Sequence, residues 1–341
     1  MNYIEIKSEK EYLANVPVRI NIWIRPECQK AQFEIIKAAR PRVLFIQSDG
    51  GRDANERSVI EQNRLLIDEG IDWHCEVYRF YEEKNQGLYK MSSYVVSSIF
   101  SIVDRCIFLE DDQIPSVSFF RYCEILLEKY KDDERIECIC GMNHLGVYGD
   151  PNADYFFSRQ GSIWGIAFWK RVWDEWGNYD YINNTYSMRV LKERTKHNNI
   201  CWKRLNAYGR GVNYEGHVAG SEFWIEFDMY FKNRLQIVPK YNMISNIGAT
   251  RNSEHFDDFY VLPSRVKKIF YMKTYEVDFE LKHPLYVMPD LLYEKKRNRI
   301  MLYNSNNYFI KIFEIGEVIF YKIVYKFKLL FKGKVNYESN K

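Results

Sequence analysis

The first 140 residues alternate between short apolar runs and longer segments of helical periodicity, and this pattern limits the fold more than any other feature. The runs are continuous rather than alternating, which is typical of strands covered on both faces. Strands separated by helix-length crossovers form a mainly parallel sheet. We therefore expect an α/β protein. The predicted strands are Val18–Ile24, Arg42–Gln47, His74–Phe80, Arg105–Leu109 and Arg135–Cys140, and the predicted helices are Glu27–Arg40, Asp53–Glu69, Tyr89–Ile102 and Ser118–Lys131.

Composition narrows the functional classes. With 341 residues, of which 46% are hydrophobic and 17% aromatic, the chain can bury a large core and is not expected to be disordered. A net charge of only +3 does not indicate a nucleic-acid partner. The seven cysteines lack zinc spacing, and the polar start Met1–Lys10 does not resemble a secretory signal, so we expect a reduced, cytoplasmic protein.

Three consecutive acids, Glu110, Asp111 and Asp112, come directly after the predicted strand Arg105–Leu109. Ligands of open α/β sheets bind at the carboxyl ends of the strands. Carboxylates there suit a hard divalent cation that completes its shell with substrate phosphates. The pattern predicts a site for a metal and a diphosphate, and the alternative is a solvated acidic loop before the next helix.

Two earlier strand ends carry polar side chains as well. Arg25 comes after the first predicted strand, and its planar guanidinium could meet a phosphate. Asp49, with Gly50 and Gly51 behind it, ends the second, where it could accept hydrogen bonds from a ribose or a base. The alternative for Asp49 is an Asx turn or the N-cap of the next helix. The sequence contains neither a Walker loop nor GxGxxG, so metal and side chains would hold a diphosphate.

The acidic segment and several others resemble parts of a known enzyme family, in the same order along the chain. The similar segments are Ile46–Gly50, Phe108–Asp112 with Pro115 and Ser118–Tyr122, Cys140–Asn143, Gly161–Gly165, Phe223–Phe227 and Ile237–Gly248. Together they resemble N-acetylglucosaminyltransferase I, glycosyltransferase family 13, and related bacterial sugar transferases. The resemblance spans roughly residues 18–260 and implies a Rossmann-like sheet of the type-A glycosyltransferase fold.

The resemblance implies an inverting transfer from a UDP-sugar, with Mn²⁺ or Mg²⁺ bridging the diphosphate. By that resemblance Asp112 contacts the metal, Glu110 and Asp111 contact ribose or sugar hydroxyls, Asp49 binds uracil and Arg25 contacts the nucleotide. The catalytic base would be Glu226, which comes after a Phe-Trp pair. Its rivals are Glu222 and Asp228, and the alternative for Glu226 is an exposed helix face.

The chain departs from the family at several places. Where the family has Asp as the base, this chain has Glu226, and a family histidine before the triplet has no clean counterpart near Lys90. Lys90 could supply charge for the nucleotide-sugar or could simply extend along a helix surface. His255 lies where related transferases place a late metal or phosphate ligand and could coordinate Mn²⁺, or it is a plain surface histidine.

Aromatic residues between Trp164 and Trp173 recur at helical spacing, so a helix packed on the sheet is expected there. Trp164, beside two glycines, is expected to lie against a sugar face of the nucleotide-sugar. At the other end of the chain, residues 305–341 are predicted to form a basic amphipathic helix without any apolar run of membrane-spanning length. Such a helix is typical of an anionic membrane surface, and the alternatives are packing on the catalytic domain or a coiled dimer interface.

The sequence thus predicts a catalytic domain over 1–300, with a nucleotide-sugar part at 18–145 and an acceptor part at 146–300, and then the 305–341 tail. The expected protein is a cytoplasmic glycosyltransferase, peripheral on the inner face of the cell membrane. Its acceptor would be a glycan or lipid-linked oligosaccharide in surface polysaccharide synthesis. The rival hypotheses are a nucleotidyltransferase, which would be expected to carry a glycine-rich phosphate loop, and a non-catalytic carbohydrate-binding scaffold.

Overall fold

The computed structural model describes residues 1–176, 180–196, 201–203, 205–206, 221–249 and 262–301, and in the tail 312–313, 316–317, 319–324 and 326. The strands are β1 Asn2–Ile6, β2 Val18–Ile22, β3 Val43–Ser48, β4 Cys75–Tyr81, β5 Arg105–Leu109, β6 Gln113–Pro115, β7 Ile136–Cys140, β8 Tyr155–Ser158, β9 Ile166–Trp169, β10 Leu235–Pro239 and β11 Ile244–Asn246. The helices are α1 Pro26–Ala39, α2 Ala54–Gly70, α3 Leu88–Phe100, α4 Ser118–Lys129, α5 Lys170–Trp173, α6 Thr185–Arg194, α7 Ser221–Phe231, α8 Ser264–Lys267 and α9 Leu291–Ile300.

Within these residues, nine strands form one mixed sheet in the order β1-β4-β3-β2-β5-β9-β7-β10-β8. Strands β4, β3, β2 and β5 are parallel to one another, and β10 is parallel to β7. Strand β9 lies antiparallel between β5 and β7, while β1 and β8 are antiparallel edge strands. The protein is therefore an α/β fold built on a large, mostly parallel sheet flanked by helices.

The strand order reverses direction beside β2. From β2 the chain winds outward through β3 to β4, then crosses back and adds β5 on the other side of β2. In doubly wound sheets the carboxyl ends of the strands at such a switch point border the crevice in which ligands bind. The segments directly after β2 and β5 are therefore the first place to look for a functional site.

Burial explains why the sequence pattern was informative for the central strands. Leu44, Phe45 and Ile46 of β3 and Ile107 and Leu109 of β5 are fully or almost fully buried, so both faces of these strands are covered. Two of the connecting helices begin at residues that favour a helix start. Pro26 opens α1 at its first turn, and the Asp53 carboxylate accepts a hydrogen bond from the Glu56 N–H at the start of α2.

The predicted elements of the first 140 residues agree with the structure to within about two residues at each end. The helix expected between Trp164 and Trp173 is wrong, because Ile166–Trp169 is strand β9 and only Lys170–Trp173 is helical. All four residues of β9 are buried between its neighbouring strands, which places aromatic rings on both faces and removes the alternation that marks a strand. The edge strand β1 was not predicted.

The division into nucleotide-sugar and acceptor parts remains a prediction. In the tail, the described residues 312–313, 316–317, 319–324 and 326 are helical, and most of 305–341 lies outside the described residues. Ser264 of α8 contacts this tail, since its N–H donates to Glu317 at 3.0 Å and its hydroxyl lies 2.9 Å from that of Tyr321. Among the residues that the structure describes, no helix is both long enough and apolar enough to span a membrane.

Candidate functional site

The centre of the site is an ion cluster formed by Arg25, Asp111 and Asp112. Arg25 comes just after β2, and the two aspartates form the turn after β5, so the switch point brings them together. The guanidinium holds Asp111 as a fork, with Nε to Oδ2 at 2.8 Å and Nη2 to Oδ1 at 2.5 Å. Nη1 also donates to Asp112 Oδ2 at 3.1 Å. Such two-pronged pairs fix geometry as well as adding binding energy.

Burial dominates the protonation equilibria of this cluster. It raises the pKa of Asp111 from 3.8 to about 7, against the opposing effect of the Arg25 guanidinium. Burial also raises the pKa of Asp112, again opposed by Arg25. Burial by itself would lower the pKa of Arg25, but the two aspartates more than offset this and raise it, so the guanidinium stays charged. The cluster therefore combines one permanently charged guanidinium with two carboxyl groups whose raised pKa values favour the protonated form.

Glu110 is held from the neighbouring strand and still faces solvent. Arg19 Nη1 and Asn21 Nδ2, both on β2, donate to its two carboxylate oxygens at 3.0 Å each, yet 41% of the Glu110 side chain is exposed. Arg19 also lies over the Phe108 ring at 5.4 Å. Sequence reasoning missed Arg19 and Asn21, although two polar residues at alternate positions of a buried strand were the signal.

Two glutamines brace the acidic turn. Gln32 of α1 is buried, and its amide donates to the carbonyl oxygens of Glu110 at 2.5 Å and Gln113 at 2.9 Å. Gln113 Oε1 in turn accepts from the N–H groups of Glu110 at 3.2 Å and Gly165 at 2.8 Å. These bonds fix the backbone on which the carboxylates stand, and neither glutamine was singled out from the sequence.

A small second sheet closes the site from the far half of the chain. Strand β11 pairs antiparallel with β6, which starts directly after Asp112. Asn246 Nδ2 donates to Asp112 Oδ1 at 3.2 Å, and the Ile247 N–H donates to the Asp112 carbonyl at 2.9 Å. A Cβ on Gly248 would overlap the Asp112 carboxylate and approach Arg25 Nη1 to 2.7 Å. Only glycine therefore allows this close approach.

Asp49 comes directly after β3, and its carboxylate accepts several hydrogen bonds, most of them from the segment that precedes α3. Its oxygens accept from the N–H groups of Gly50 and Gln86 at 2.8 Å and of Gly87 at 2.9 Å, and from Asn85 Nδ2 at 3.3 Å. The alternative of an N-cap role is wrong, because Asp53 caps α2. The contact with Gly50 agrees with the alternative of a local turn. A role in uracil binding stays a prediction.

Lys90 and Trp164 lie near these strand ends but do not join the ion cluster through any contact seen in the described residues. Lys90 is exposed on α3, and its Nζ donates to Gln86 Oε1 at 2.9 Å, which links it to the segment held by Asp49. Trp164 is half-buried in the loop before β9, with its ring 5.1 Å from that of Phe270. Because the adjoining Gly165 N–H binds Gln113, Trp164 lies at the same edge of the sheet as the acids.

The candidates for the catalytic base lie in different surroundings. Asp228 of α7 is buried in ion pairs with Lys232 at 3.1 Å and Arg234 at 3.4 Å, at the amino end of β10. That is the opposite edge of the sheet from the acidic triplet, and the role of Asp228 as a rival base stays a prediction. Glu226 is half-buried on α7, and its charge helps to raise the pKa of Tyr230, for which burial is the main cause.

Glu222 and His255 complete the set of predicted site residues. Glu222 lies in the first turn of α7, whose backbone the structure describes at that point, and His255 lies outside the described residues. The role of each stays a prediction.

The acidic cluster offers few protein ligands to a divalent cation. Among the described residues, no group of three or more His, Cys, Asp or Glu side chains could enclose a metal ion. Both Asp111 oxygens are engaged by Arg25. The Asp112 oxygens accept one bond each from Arg25 and Asn246, and 16% of the Asp112 side chain is exposed to solvent. This donor set fits a cation held by one carboxylate together with substrate phosphates, as Mg²⁺ often is, and not one enclosed by protein ligands.

Comparison with known proteins does not identify a family. No family model matches the chain, and no curated protein matches it. Among solved structures, it is similar to the mannosyltransferase PcManGT from Pyrobaculum calidifontis in complex with GDP-Man and Mn²⁺, at 11% identity and a TM-score of 0.33, over 54% of this chain and 53% of that one. It is also similar to A197 from STIV, at 9% identity and a TM-score of 0.26, over 48% and 69% of the two chains.

The chain thus spans about half the length of the mannosyltransferase. At these values neither likeness assigns an activity to this protein, and the case for a function depends on the residues of the site.

Proposed function

We propose that this protein is an inverting glycosyltransferase that moves a sugar from a UDP-sugar to a glycan or lipid-linked oligosaccharide. The observation that carries the proposal is the cluster of Arg25, Asp111 and Asp112 at the carboxyl ends of the two strands that border the switch point. Doubly wound sheets bind nucleotides at this position. The order of motifs that resembles glycosyltransferase family 13 favours a sugar transferase over other nucleotide-binding enzymes.

Arg25 and Asp112 would bind the diphosphate end of the donor. A divalent cation bound by Asp112, Mn²⁺ or Mg²⁺, would act as a Lewis acid that neutralises the charge of the leaving diphosphate. Arg25 keeps the buried aspartates in place through four nitrogen–oxygen contacts with carboxylates and the Gly248 carbonyl. Its guanidinium has the planar geometry that also suits phosphate oxygens. Asn246 orients the Asp112 carboxylate from the other side.

Glu110 is suited to bind hydroxyl groups of the ribose or of the sugar. Arg19 and Asn21 fix its orientation, and its exposed carboxylate can accept hydrogen bonds from neighbouring hydroxyls. Trp164 offers a flat apolar ring at the same edge, where a pyranose face could pack. Asp49 and Lys90 would lie toward the nucleoside end, since both are attached to the segment before α3.

Glu226 is proposed as the general base that removes the proton of the acceptor hydroxyl, with Glu222 and Asp228 as its rivals. We expect Glu226→Gln to keep donor binding, because the change preserves shape, and to lower transfer by about 10²–10⁴-fold, the usual contribution of a positioned base. Calorimetric titration with UDP and a turnover assay measure the two effects separately. Glu193→Gln on the exposed end of α6 serves as the control. Near-normal turnover of Glu226→Gln would transfer the role to Glu222 or Asp228.

The proposal is tested first by a thermal-shift screen of the full chain against UDP-, GDP-, CMP- and dTDP-sugars, each with Mn²⁺ and with EDTA. A ligand that binds only the folded state raises the unfolding temperature. We expect a shift with a UDP-sugar that disappears in EDTA, and then release of UDP when an acceptor is added. A shift with another nucleotide-sugar would identify that compound as the donor in place of a UDP-sugar. Cleavage or formation of a nucleoside triphosphate would favour a nucleotidyltransferase. No shift with any nucleotide would favour a non-catalytic scaffold.

A further inference from the structure

Helix α9, Leu291–Ile300, is oriented opposite to the usual arrangement of a surface helix. Its Tyr293, Glu294, Arg297 and Asn298 are buried against the body of the protein, while Leu291 and Leu292 face outward. Amphipathic helices normally bury the apolar side chains and expose the charged ones. Packing of α9 therefore does not account for the two leucines.

Specific partners hold the buried face of α9 in this orientation. Glu294 accepts from the Arg159 N–H at 2.8 Å and forms an ion pair with the Arg159 guanidinium at 3.3 Å. Arg297 Nη2 donates to the Gly161 carbonyl at 3.2 Å. Rotating the helix to bury its leucines would break these bonds and leave charged groups without compensation.

The loop before α9 carries three further exposed apolar residues. Leu285, Tyr286 and Met288 have 90%, 72% and 62% of their surface exposed. Together with Leu291 and Leu292 they form what we call the outer patch. These five exposed apolar residues lie within eight positions of the chain, and large exposed apolar patches mark interaction sites.

The backbone at both ends of this loop is fixed to the edge strand β8 and the residue before it. The Lys282 N–H donates to Asp154 Oδ2 at 2.7 Å, and His283 Nδ1 lies 2.9 Å from the Tyr155 hydroxyl. At the other end the Asp290 N–H donates to the Phe157 carbonyl at 2.8 Å. The outward direction of the patch is therefore set by a supported backbone.

The exposed charges between residues 281 and 300 have one sign. From residue 281 to residue 300, each exposed Lys, Arg, Asp or Glu is basic, namely Lys282, Lys295, Lys296 and Arg299. The two acids of this range are engaged, since Asp290 caps α9 and Glu294 pairs with Arg159. Three exposed acids, Glu276, Asp278 and Glu280, lie just before this range in the sequence. Apolar side chains bordered by cations complement a surface that offers hydrocarbon beneath anionic headgroups.

We propose that the outer patch docks the protein on an anionic lipid surface. The five apolar side chains enter the interfacial region, and the four cations lie above them against the headgroups. This contact does not depend on the proposed transferase activity, and it uses residues outside the 305–341 tail. The patch would anchor the folded domain itself at the membrane.

Co-sedimentation of the full chain with vesicles tests the proposal. Vesicles of phosphatidylcholine alone are compared with vesicles that also contain phosphatidylglycerol, at low and at high salt. We expect preferential, salt-sensitive binding to the anionic vesicles. Leu285→Ser/Leu292→Ser and Lys295→Glu/Lys296→Glu should each weaken this binding at least about tenfold. The reason is the binding free energy that a buried leucine side chain or a lysine contributes at an anionic bilayer.

Matched pairs elsewhere on the surface provide the controls. Leu13→Ser/Leu65→Ser changes two exposed leucines away from the patch, and Lys7→Glu/Lys30→Glu reverses two distant exposed charges. Both controls should bind vesicles as the wild type does. All four variants alter exposed side chains, and their unfolding temperatures verify that they fold.

Three results would overturn the proposal. Equal binding to neutral and anionic vesicles would remove the electrostatic contact. Wild-type binding by both patch variants would assign the membrane contact to another part of the chain, such as the tail. Absence of vesicle binding, with self-association in the ultracentrifuge that Leu285→Ser/Leu292→Ser abolishes, would identify the patch as an interface between two copies of the chain.

Discussion

Two buried arginine–carboxylate clusters lie at opposite edges of the same sheet. At the carboxyl edge Arg25 holds Asp111 and Asp112, and at the amino edge Arg234 holds Glu137 and Asp228. Burial raises the carboxylate pKa values in both, to about 7 for Asp111 and about 8 for Glu137. In charge and chemistry the two clusters are nearly alike.

They differ in how completely they are enclosed. At the amino edge Glu137 and Asp228 are 0% and 1% exposed, and Arg234 gains further contacts from Glu175 and Glu134 at 3.0 Å. At the carboxyl edge the cluster opens toward solvent at Asp112 and at the neighbouring Glu110. The two clusters therefore differ not in buried charge but in that the carboxyl-edge cluster opens to solvent at the switch point, where open α/β sheets bind ligands.

The largest expected effect concerns the enclosed cluster. Arg234→Met leaves Glu137 and Asp228 without their common partner, which should lower the free energy of unfolding by about 3–5 kcal/mol. Urea denaturation measures this loss. Nucleotide-sugar affinity of the remaining folded protein should not change, because the cluster is on the other edge.

Arg135→Met, which breaks a surface ion pair with Asp133, is the matched control and should change stability by about 1 kcal/mol or less. A loss of the same small size for Arg234→Met would mean that the enclosed cluster is not the stabilising one. The contrast between the two edges would then fail.

The second effect concerns the open cluster. Asp112→Asn keeps the shape of the side chain but removes its charge, so cation-dependent UDP-sugar binding should weaken about a hundredfold. Calorimetric titration in Mn²⁺ measures the affinity. Asp104→Asn, at an exposed aspartate before β5, should bind as the wild type does. Unchanged affinity of Asp112→Asn would remove the metal assignment.

A smaller effect is expected when the Asp112 carboxylate is displaced but not removed. In Gly248→Ala the new methyl group overlaps that carboxylate, so affinity should fall about tenfold, at the lower end for residues that orient a metal ligand. Gly316→Ala is the control, because a methyl group there meets nothing within 4 Å. If Gly248→Ala bound the donor normally, the observed position of Asp112 would not be the binding position.

The last effect, smallest when taken per pH unit, is a change in the pH dependence of stability. Because their pKa values are raised, Asp111 and Glu137 keep their protons in the folded state at pH values where the unfolded chain has released them. Each group therefore lowers stability as pH rises, from about 4 to about 7 for Asp111 and from about 4.5 to about 8 for Glu137. In the wild type, the free energy of unfolding should fall as pH rises through these ranges. Asp111→Asn and Glu137→Gln should each reduce that fall by up to about 1.4 kcal/mol per pH unit.

Denaturation curves between about pH 5 and about pH 8.5 measure these slopes. The Glu137→Gln effect should persist to higher pH than the Asp111→Asn effect. Slopes identical to those of the wild type in both variants would show that neither carboxyl retains its proton in the folded protein.

Much of the fold could be predicted because the central strands are buried on both faces and the helices between them are long. Strand β9 could not, since its aromatic residues Phe168 and Trp169 fit a packed helix as well as a fully buried strand. Strand β1 is an edge strand with exposed residues, which leaves no apolar run to detect.

The site was predicted in outline. The acids could be located because they end a strong strand signal, and Arg25 because it ends another. The ion pair between Arg25 and Asp111 joins residues 86 positions apart. The hydrogen bonds accepted by Asp49 come largely from a loop 36 to 38 positions away. Neither pairing is visible in local sequence, because both depend on how the sheet assembles.

The contact between Asn246 and Asp112 spans 134 positions of the chain. During synthesis, strands β2 to β5 can leave the ribosome and pair long before β11 has been made. A partly made protein would therefore contain its arginine and its acidic turn without the strand that completes the cluster. Under the proposed function, donor binding would appear late and abruptly along the growing chain, and a nucleotide-sugar could serve as a reporter of finished folding in translation experiments.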